Sequence, residues 1–196
     1  MKLRLFLTKS ENIEKDSYIW NMIGSMLNAF QSVIILMAIT RTIDLYEAGI
    51  YTIANTNANL FLNIGKYGIR NFQVSDTKGQ FSFSEYLVSR YITTFIMILS
   101  SIIYIIFAAK SNNYSMNKSL IILFMCVFKA IDSIEDVYFG AYQRDNRLDI
   151  AGKCMSIRMF ITILIFLLAL VISRSLLIST IIATTATFII YLLFLC

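Results

Sequence analysis

The chain has 196 residues, 58% of them hydrophobic and 15% charged, whereas soluble domains carry about 45–50% apolar and about 25% charged residues. This places it in the membrane class. It has no His, no Pro and only 7 Gly, which excludes a His-dependent triad, an HExxH zinc site, an imidazole switch and collagen-like or disordered chains. The net charge of +5 follows the pattern of membrane orientation described below, so no nucleic-acid partner is expected.

Residues 1–17 form a short N-terminal segment in which Lys2 and Arg4 precede only three consecutive apolar residues, Leu5–Leu7. That run is too short for the apolar region of a cleaved secretory signal. A helix needs about 20 mostly apolar residues to cross a bilayer core of about 30 Å. Six stretches qualify: Tyr18–Ile39, Ala48–Tyr67, Leu87–Ala109, Ser119–Ala141, Cys154–Ser173 and Ser175–Cys196. The predicted fold is therefore all-α, a polytopic bundle in which residues 18–196 make one six-helix transmembrane lobe.

Helical spacing places residues i, i+3, i+4 and i+7 on one face. In the first span this aligns Asn21, Ser25, Asn28 and Ser32, flanked by Gln31. In the second it aligns Thr52, Asn55, Thr56, Asn59, Asn63 and Lys66. The third carries a thinner stripe of Arg90, Thr94 and Ser101. The fourth carries Lys129, Asp132, Asp136, Gly140 and Gln143, with Glu135 on the border. The fifth has little polar beyond Arg158 and Thr162, and the sixth only scattered Ser and Thr. Polar groups facing lipid cost several kcal/mol each. The expected arrangement puts spans one, two and four around a hydrated cavity and turns five and six to lipid. For the Asn and Ser positions, hydrogen-bonded glue between helices, at about 0.6–2 kcal/mol per bond, is an equal alternative.

With all six stretches spanning and the N-terminus inside, twelve Lys and Arg fall on the cytoplasmic side and four outside, namely Arg41, Lys110, Lys118 and Arg174, with Lys129 in the membrane. This satisfies the positive-inside rule. Both termini are then cytoplasmic, and the longest loops, around residues 68–86 and 142–153, lie on that side. The three cysteines, Cys126, Cys154 and Cys196, are far apart in apolar surroundings with no CxxC spacing, so they read as small apolar residues rather than metal or redox groups. The glycosylation-like strings at Asn113 and Asn117 are short and membrane-proximal, and read as chance. The last apolar run continues to Cys196, which suggests a fragment or one half of a larger transporter.

The run FKAIDSIEDVYFG at 128–140 holds Lys129, Asp132, Glu135 and Asp136. A central charge costs about 2.5–3.5 kcal/mol on the insertion scale, against about 0.3–0.6 returned by each large apolar residue. Lys129 pairs with Asp132 or Asp136 on its own face, which leaves two acids over. Intramembrane ionisable groups mark pathways, relays or substrate contacts, so the cluster is the leading site candidate.

Four segments, RTIDLYEAGIYTIANTNANLF, YGIRNFQVSD, FSFSEYLVSRYIT and IEDVYFGAYQRDNRLDIAGKCMSIR, resemble the polysaccharide flippases of the Wzx type, in the multidrug/oligosaccharidyl-lipid/polysaccharide exporter superfamily. Arg41, Gly49, and Gln143-Arg144 with Arg147 carry the likeness most specifically, while Cys154 and Met159 depart from it. The resemblance implies two lobes totalling twelve or fourteen helices, this chain being the N-terminal lobe. It also implies transfer of an undecaprenyl-diphosphate-linked oligosaccharide from the inner to the outer leaflet of the cell membrane. Arg and Lys suit a diphosphate, and amides suit sugar hydroxyls. On that reading Arg41 and Lys129 meet the diphosphate in the cavity, with Arg70 and Arg90 at its cytoplasmic mouth. Asn55, Asn59, Asn63 and Gln143 contact the rest of the substrate, and Asp132, Glu135 or Asp136 exchanges a coupling H⁺ or Na⁺. Arg41, Arg70 and Arg90 as interfacial anchors stay open.

No catalytic residue, metal or other cofactor is expected. The expected partners are membrane lipid, the lipid-linked oligosaccharide, and a second six-helix lobe or other polysaccharide-assembly proteins. The alternatives are a drug/cation antiporter of the same superfamily, a membrane enzyme and a non-transporting membrane partner. A membrane enzyme is disfavoured by the lack of a DxD motif, of His and of a large extramembrane loop.

Overall fold

The computed structural model describes residues 7, 9–10, 12–76 and 78–195, and side chains as far as residue 193. Lys2, Arg4 and Cys196, named above, lie outside the described residues. Among those described, the chain is all helical, with no strand: α1 Ile13–Thr42, α2 Leu45–Lys66, α3 Ile69–Ser75, α4 Phe83–Asn112, α5 Met116–Arg144, α6 Leu148–Ser173 and α7 Leu176–Leu195.

With no Pro to break helices, the chain uses N-caps and left-handed residues to turn. Asn12, Asp44, Ser82 and Ser115 each accept a backbone N–H from the residue three positions on, satisfying one of the orphan donors of a first turn. Ser82 and Glu85 complete a reciprocal capping box. At the far ends Tyr67, Asn113 and Arg174 take left-handed conformations with φ of 38°, 50° and 47°. Each donates its backbone N–H to the carbonyl four residues back, closing the helix as a C-terminal cap does.

Helix α5 is the hub of the bundle, packing against α2, α3, α4, α6 and α7, whereas α1 packs chiefly along α6. The main core joins Ile39, Ala54, Ala58, Met97, Ile122, Cys126 and Leu170, all essentially buried. Glycines set the closest helix approaches. A Cβ on Gly152 would lie 2.8 Å from the backbone of Trp20 and Asn21, and one on Gly65 would lie 2.7 Å from Ser133 Oγ. Small residues at crossings are the usual packing device of membrane helices. Large apolar side chains cover the outside of α4, including Val88, Ile92, Phe95, Ile103 and Phe107, and of α6, including Phe160, Leu164, Leu168 and Ile172. Contiguous exposed apolar surface on this scale is foreign to a soluble monomer.

Four helices, α1, α4, α6 and α7, are long and apolar enough to cross a membrane. Helices α2 and α5, at 22 and 29 residues, are long enough but carry the polar stripes. Among the described residues all six expected stretches are helical apart from Tyr67 and Ser175 at their ends, and most of the helices run past the expected limits. The expected loop at 142–153 shrinks to Asp145–Arg147, and the one at 68–86 contains α3. A helix does not stop where hydropathy does, because backbone hydrogen bonding continues into polar residues of adequate propensity.

The expected lipid-facing role of the fifth span needs correction. Its helix, α6, is 44% buried over its most apolar window, against 22% for α1 and α4, because one face lies on α1 and another on α7. The sixth span needs the same correction, since α7 is 39% buried and packs on α5 and α6. The polar stripe of the third span is glue: Arg90, Thr94 and Ser101 are all buried, and Thr94 Oγ1 lies 3.0 Å from Ser133 Oγ.

Candidate functional site: a charged cavity beside helix α5

A cavity of about 280 Å³ is lined by α1 (Asn28, Gln31, Ser32), α2 (Asn55, Asn59, Lys66), α3 (Arg70), α5 (Lys129, Asp132, Asp136) and α6 (Arg158). Ala29, Leu62, Phe139, Met155 and Met159 supply its apolar wall. This is space for on the order of ten waters. The amphipathic spacing of α1, α2 and α5 brings their polar stripes together here, as expected. Helix α6 joins them, which was not expected.

Two charge clusters stand on α5. In the first, Asp136 Oδ2 accepts from Arg90 Nη2 at 2.9 Å. Its Oδ1 lies 3.4 Å from Arg70 Nη1 and 3.7 Å from Lys66 Nζ. Arg90 is fully buried and also donates to the carbonyls of Gly65 and Lys66 at 2.9 and 2.8 Å. It therefore caps the C-terminal carbonyls of α2 as well as holding Asp136. Arg70 Nε and Nη2 donate to Gln143 Oε1 at 3.2 and 2.8 Å.

In the second cluster, Lys129 Nζ donates to Asp132 Oδ2 at 3.1 Å. Arg158 reaches Asp132 Oδ1 through Nη2 and Glu135 Oε2 through Nε, each at 2.8 Å. The Arg158 contacts are close ion pairs but poorly aligned as hydrogen bonds, and Nη1 is buried with no hydrogen-bond partner. Distance governs the charge interaction, so the pairs stand. Five cations surround three carboxylates, an excess of two. Seen from the sequence, the same run held two acids too many; the neighbouring helices reverse the sign.

The expected site residues divide three ways. Asn55, Asn59, Arg70, Lys129, Asp132 and Asp136 line the cavity, with Gln143 behind Arg70 and Glu135 behind Arg158. Asn63 is exposed, donates to the carbonyl of Asn59 on its own helix and does not line the cavity. The expectation that Arg41 reaches the cavity is not met: it is exposed in the last turn of α1. Nor is Arg90 open at a mouth, since its side chain is wholly enclosed.

Arg158 is the residue that sequence reasoning missed, and Lys66, though on the polar stripe of the second span, was given no role in the site. Both were counted as cytoplasmic charges, as were Arg70 and Arg90, so four of the twelve cations behind the orientation argument serve the internal clusters instead. The usable signal was the surplus of acid at 128–140, which required cations from elsewhere. Of the cysteines, Cys126 is buried and Cys154 half-buried.

Outside the bundle, Asp76 closes the turn after α3. It accepts from the backbone N–H of Gln80 and of Phe81 and from the Tyr86 hydroxyl, at 3.0, 3.2 and 2.8 Å. The Gln80 amide first, then the Tyr86 hydroxyl and Phe81 amide, hold its carboxyl below the ordinary range against a smaller opposing effect of burial.

Comparison with known proteins finds no matching family model, no similar curated protein and no similar solved structure.

Proposed function

We propose that the chain is one lobe of a membrane flippase that moves a phosphate-bearing, lipid-linked oligosaccharide across the cell membrane. All six long helices would span, with the N-terminus on the cytoplasmic side, and a second six-helix lobe would complete the pathway. The observation that carries this reading is the excess of two cations around an amide-lined cavity. Arg70 and Lys66, the half-open cations, would receive the diphosphate, since guanidinium and ammonium groups bind phosphate oxygens strongly, with Lys129 and Arg158 in the wall beside them. Asn28, Gln31, Asn55 and Asn59 would contact sugar hydroxyls. Asp132 and Asp136 would meet a coupling H⁺ or Na⁺. At about 280 Å³ the cavity is small for a whole repeat unit, so the second lobe would supply the opposite wall. An organic-cation antiporter is less well supported, because each carboxylate already faces a cation.

The test is lipid extraction from cells lacking the gene, followed by mass spectrometry. Completed lipid-linked oligosaccharide should accumulate on the cytoplasmic side while surface polysaccharide is lost. Normal lipid pools with intact polysaccharide would overturn the proposal.

A further inference from the structure

Helix α3 is tied to the cavity by a small set of contacts. Two consecutive left-handed residues, Tyr67 and Gly68, with φ of 38° and 68°, join it to α2. Only Gly takes that conformation freely, and nothing lies within 4 Å of where a Gly68 Cβ would stand. The apolar contacts of α3 come from Ile69, against Tyr86 and Val137, and from Phe72, half-exposed, whose ring meets those of Phe81 and Tyr86. Its polar contacts come from Arg70, on Gln143 and Asp136, and from Gln73, pressed on Gly140 so closely that a Cβ there would overlap its Oε1. Gln73 is fully buried, yet neither end of its amide has a hydrogen-bond partner. Leaving a buried amide unmade is costly, so the docked position of α3 is held against an opposing force.

The two oxygens of Asp136 are used differently. Oδ2 is held by the enclosed Arg90, while Oδ1 has only the longer contacts to Arg70 and Lys66. If those two cations leave, Asp136 remains neutralised by Arg90. We propose that α3 is the movable arm of an anion clamp. A phosphate-bearing ligand draws Arg70 and Lys66 off Asp136, and α3 swings about Tyr67–Gly68, carrying Arg70 and releasing the Gln73 amide to water. The clamp rests on the anionic-cargo reading above, and adds that binding is coupled to undocking of one short helix.

The experiment is hydrogen exchange followed by mass spectrometry on the full chain in nanodiscs, with and without inorganic pyrophosphate, and calorimetry of the same titration. Pyrophosphate should bind and speed amide exchange across residues 69–75, with α4 and α5 unchanged. In Gln73→Met the docked state loses its unmet amide, so exchange at 69–75 without ligand should slow roughly tenfold or more. Gly140→Ala should do the reverse and raise it. Binding with α3 exchange unchanged would overturn the clamp and leave the anionic cargo standing. No binding would overturn both. Unaltered exchange in Gln73→Met would also overturn the clamp, even if Gly140→Ala failed to fold.

Discussion

The two charge clusters on α5 have opposite stoichiometry. Asp136 is one carboxylate contacted by three cations from α2, α3 and α4. Arg158 is one guanidinium spanning two carboxylates of α5, with Lys129 closing the set. The second cluster is balanced and almost fully enclosed. It supplies much of what joins α6 to α5, since α6 packs otherwise on α1 and α7. The first carries the whole excess charge, and two of its cations are partly open, with side-chain exposures of 43% for Lys66 and 31% for Arg70. A balanced buried cluster fixes helix positions, whereas an unbalanced, half-open one is available to an outside anion.

The largest expected effect is at Arg158. Arg158→Ala leaves Asp132 and Glu135 buried with Lys129 alone between them, and breaking such a pair costs about 3–5 kcal/mol. Thermal unfolding in detergent should show it. A loss below about 1 kcal/mol, the scale of exposed pairs, would mean that the cluster is hydrated and the contrast fails.

Asp136→Asn leaves the enclosed Arg90 without its carboxylate and should cost about 3 kcal/mol, at the low end of the scale for a broken buried pair, because Arg90 keeps the carbonyls of Gly65 and Lys66. It should also tighten pyrophosphate binding about tenfold, equivalent to about 1.4 kcal/mol, by freeing Arg70 and Lys66. Weaker binding in calorimetry would show that Asp136 organises the cations rather than competing with the ligand.

Lys66→Gln sharpens the contrast further. Its ion pair is long and half-exposed, so stability should move by no more than about 1 kcal/mol, while pyrophosphate affinity should fall severalfold. Arg41→Gln, outside the cavity, should change neither. Equal affinity losses in the two variants would point to general surface charge rather than a site.

The smallest effect is expected at Asp76, which belongs to neither cluster. Its folded carboxyl titrates below its ordinary value of 3.8. The stabilisation it lends its turn is therefore complete above the ordinary value and is lost as pH falls through the lower, folded value. Amide exchange at Gln80 and Phe81 should be independent of this group between about pH 5 and 8, and its protection should fail only in stronger acid. Loss of protection near neutrality would assign the turn to another group.

Periodicity alone was enough to place Asn55, Asn59 and Lys66 on one face of α2, and Lys129, Asp132 and Asp136 on one face of α5. A helix fixes the relative direction of its own side chains through its 3.6-residue repeat, so these stripes are local properties. The all-helical class and the apolar surface were legible for the same reason. What lay beyond local order was rotation and partnership between helices. Arg158 reads as a cation at the end of an apolar helix until α6 turns it onto Asp132 and Glu135. Arg90 reads as an interfacial charge until α2 and α5 enclose it. Arg41 stands near the polar stripes in sequence but outside their cavity in space, and α3 is too short for hydropathy to reveal. Charge pairing over distances of 3 Å depends on how rigid helices are set against one another, a property of side-chain packing across the whole bundle that no single segment encodes.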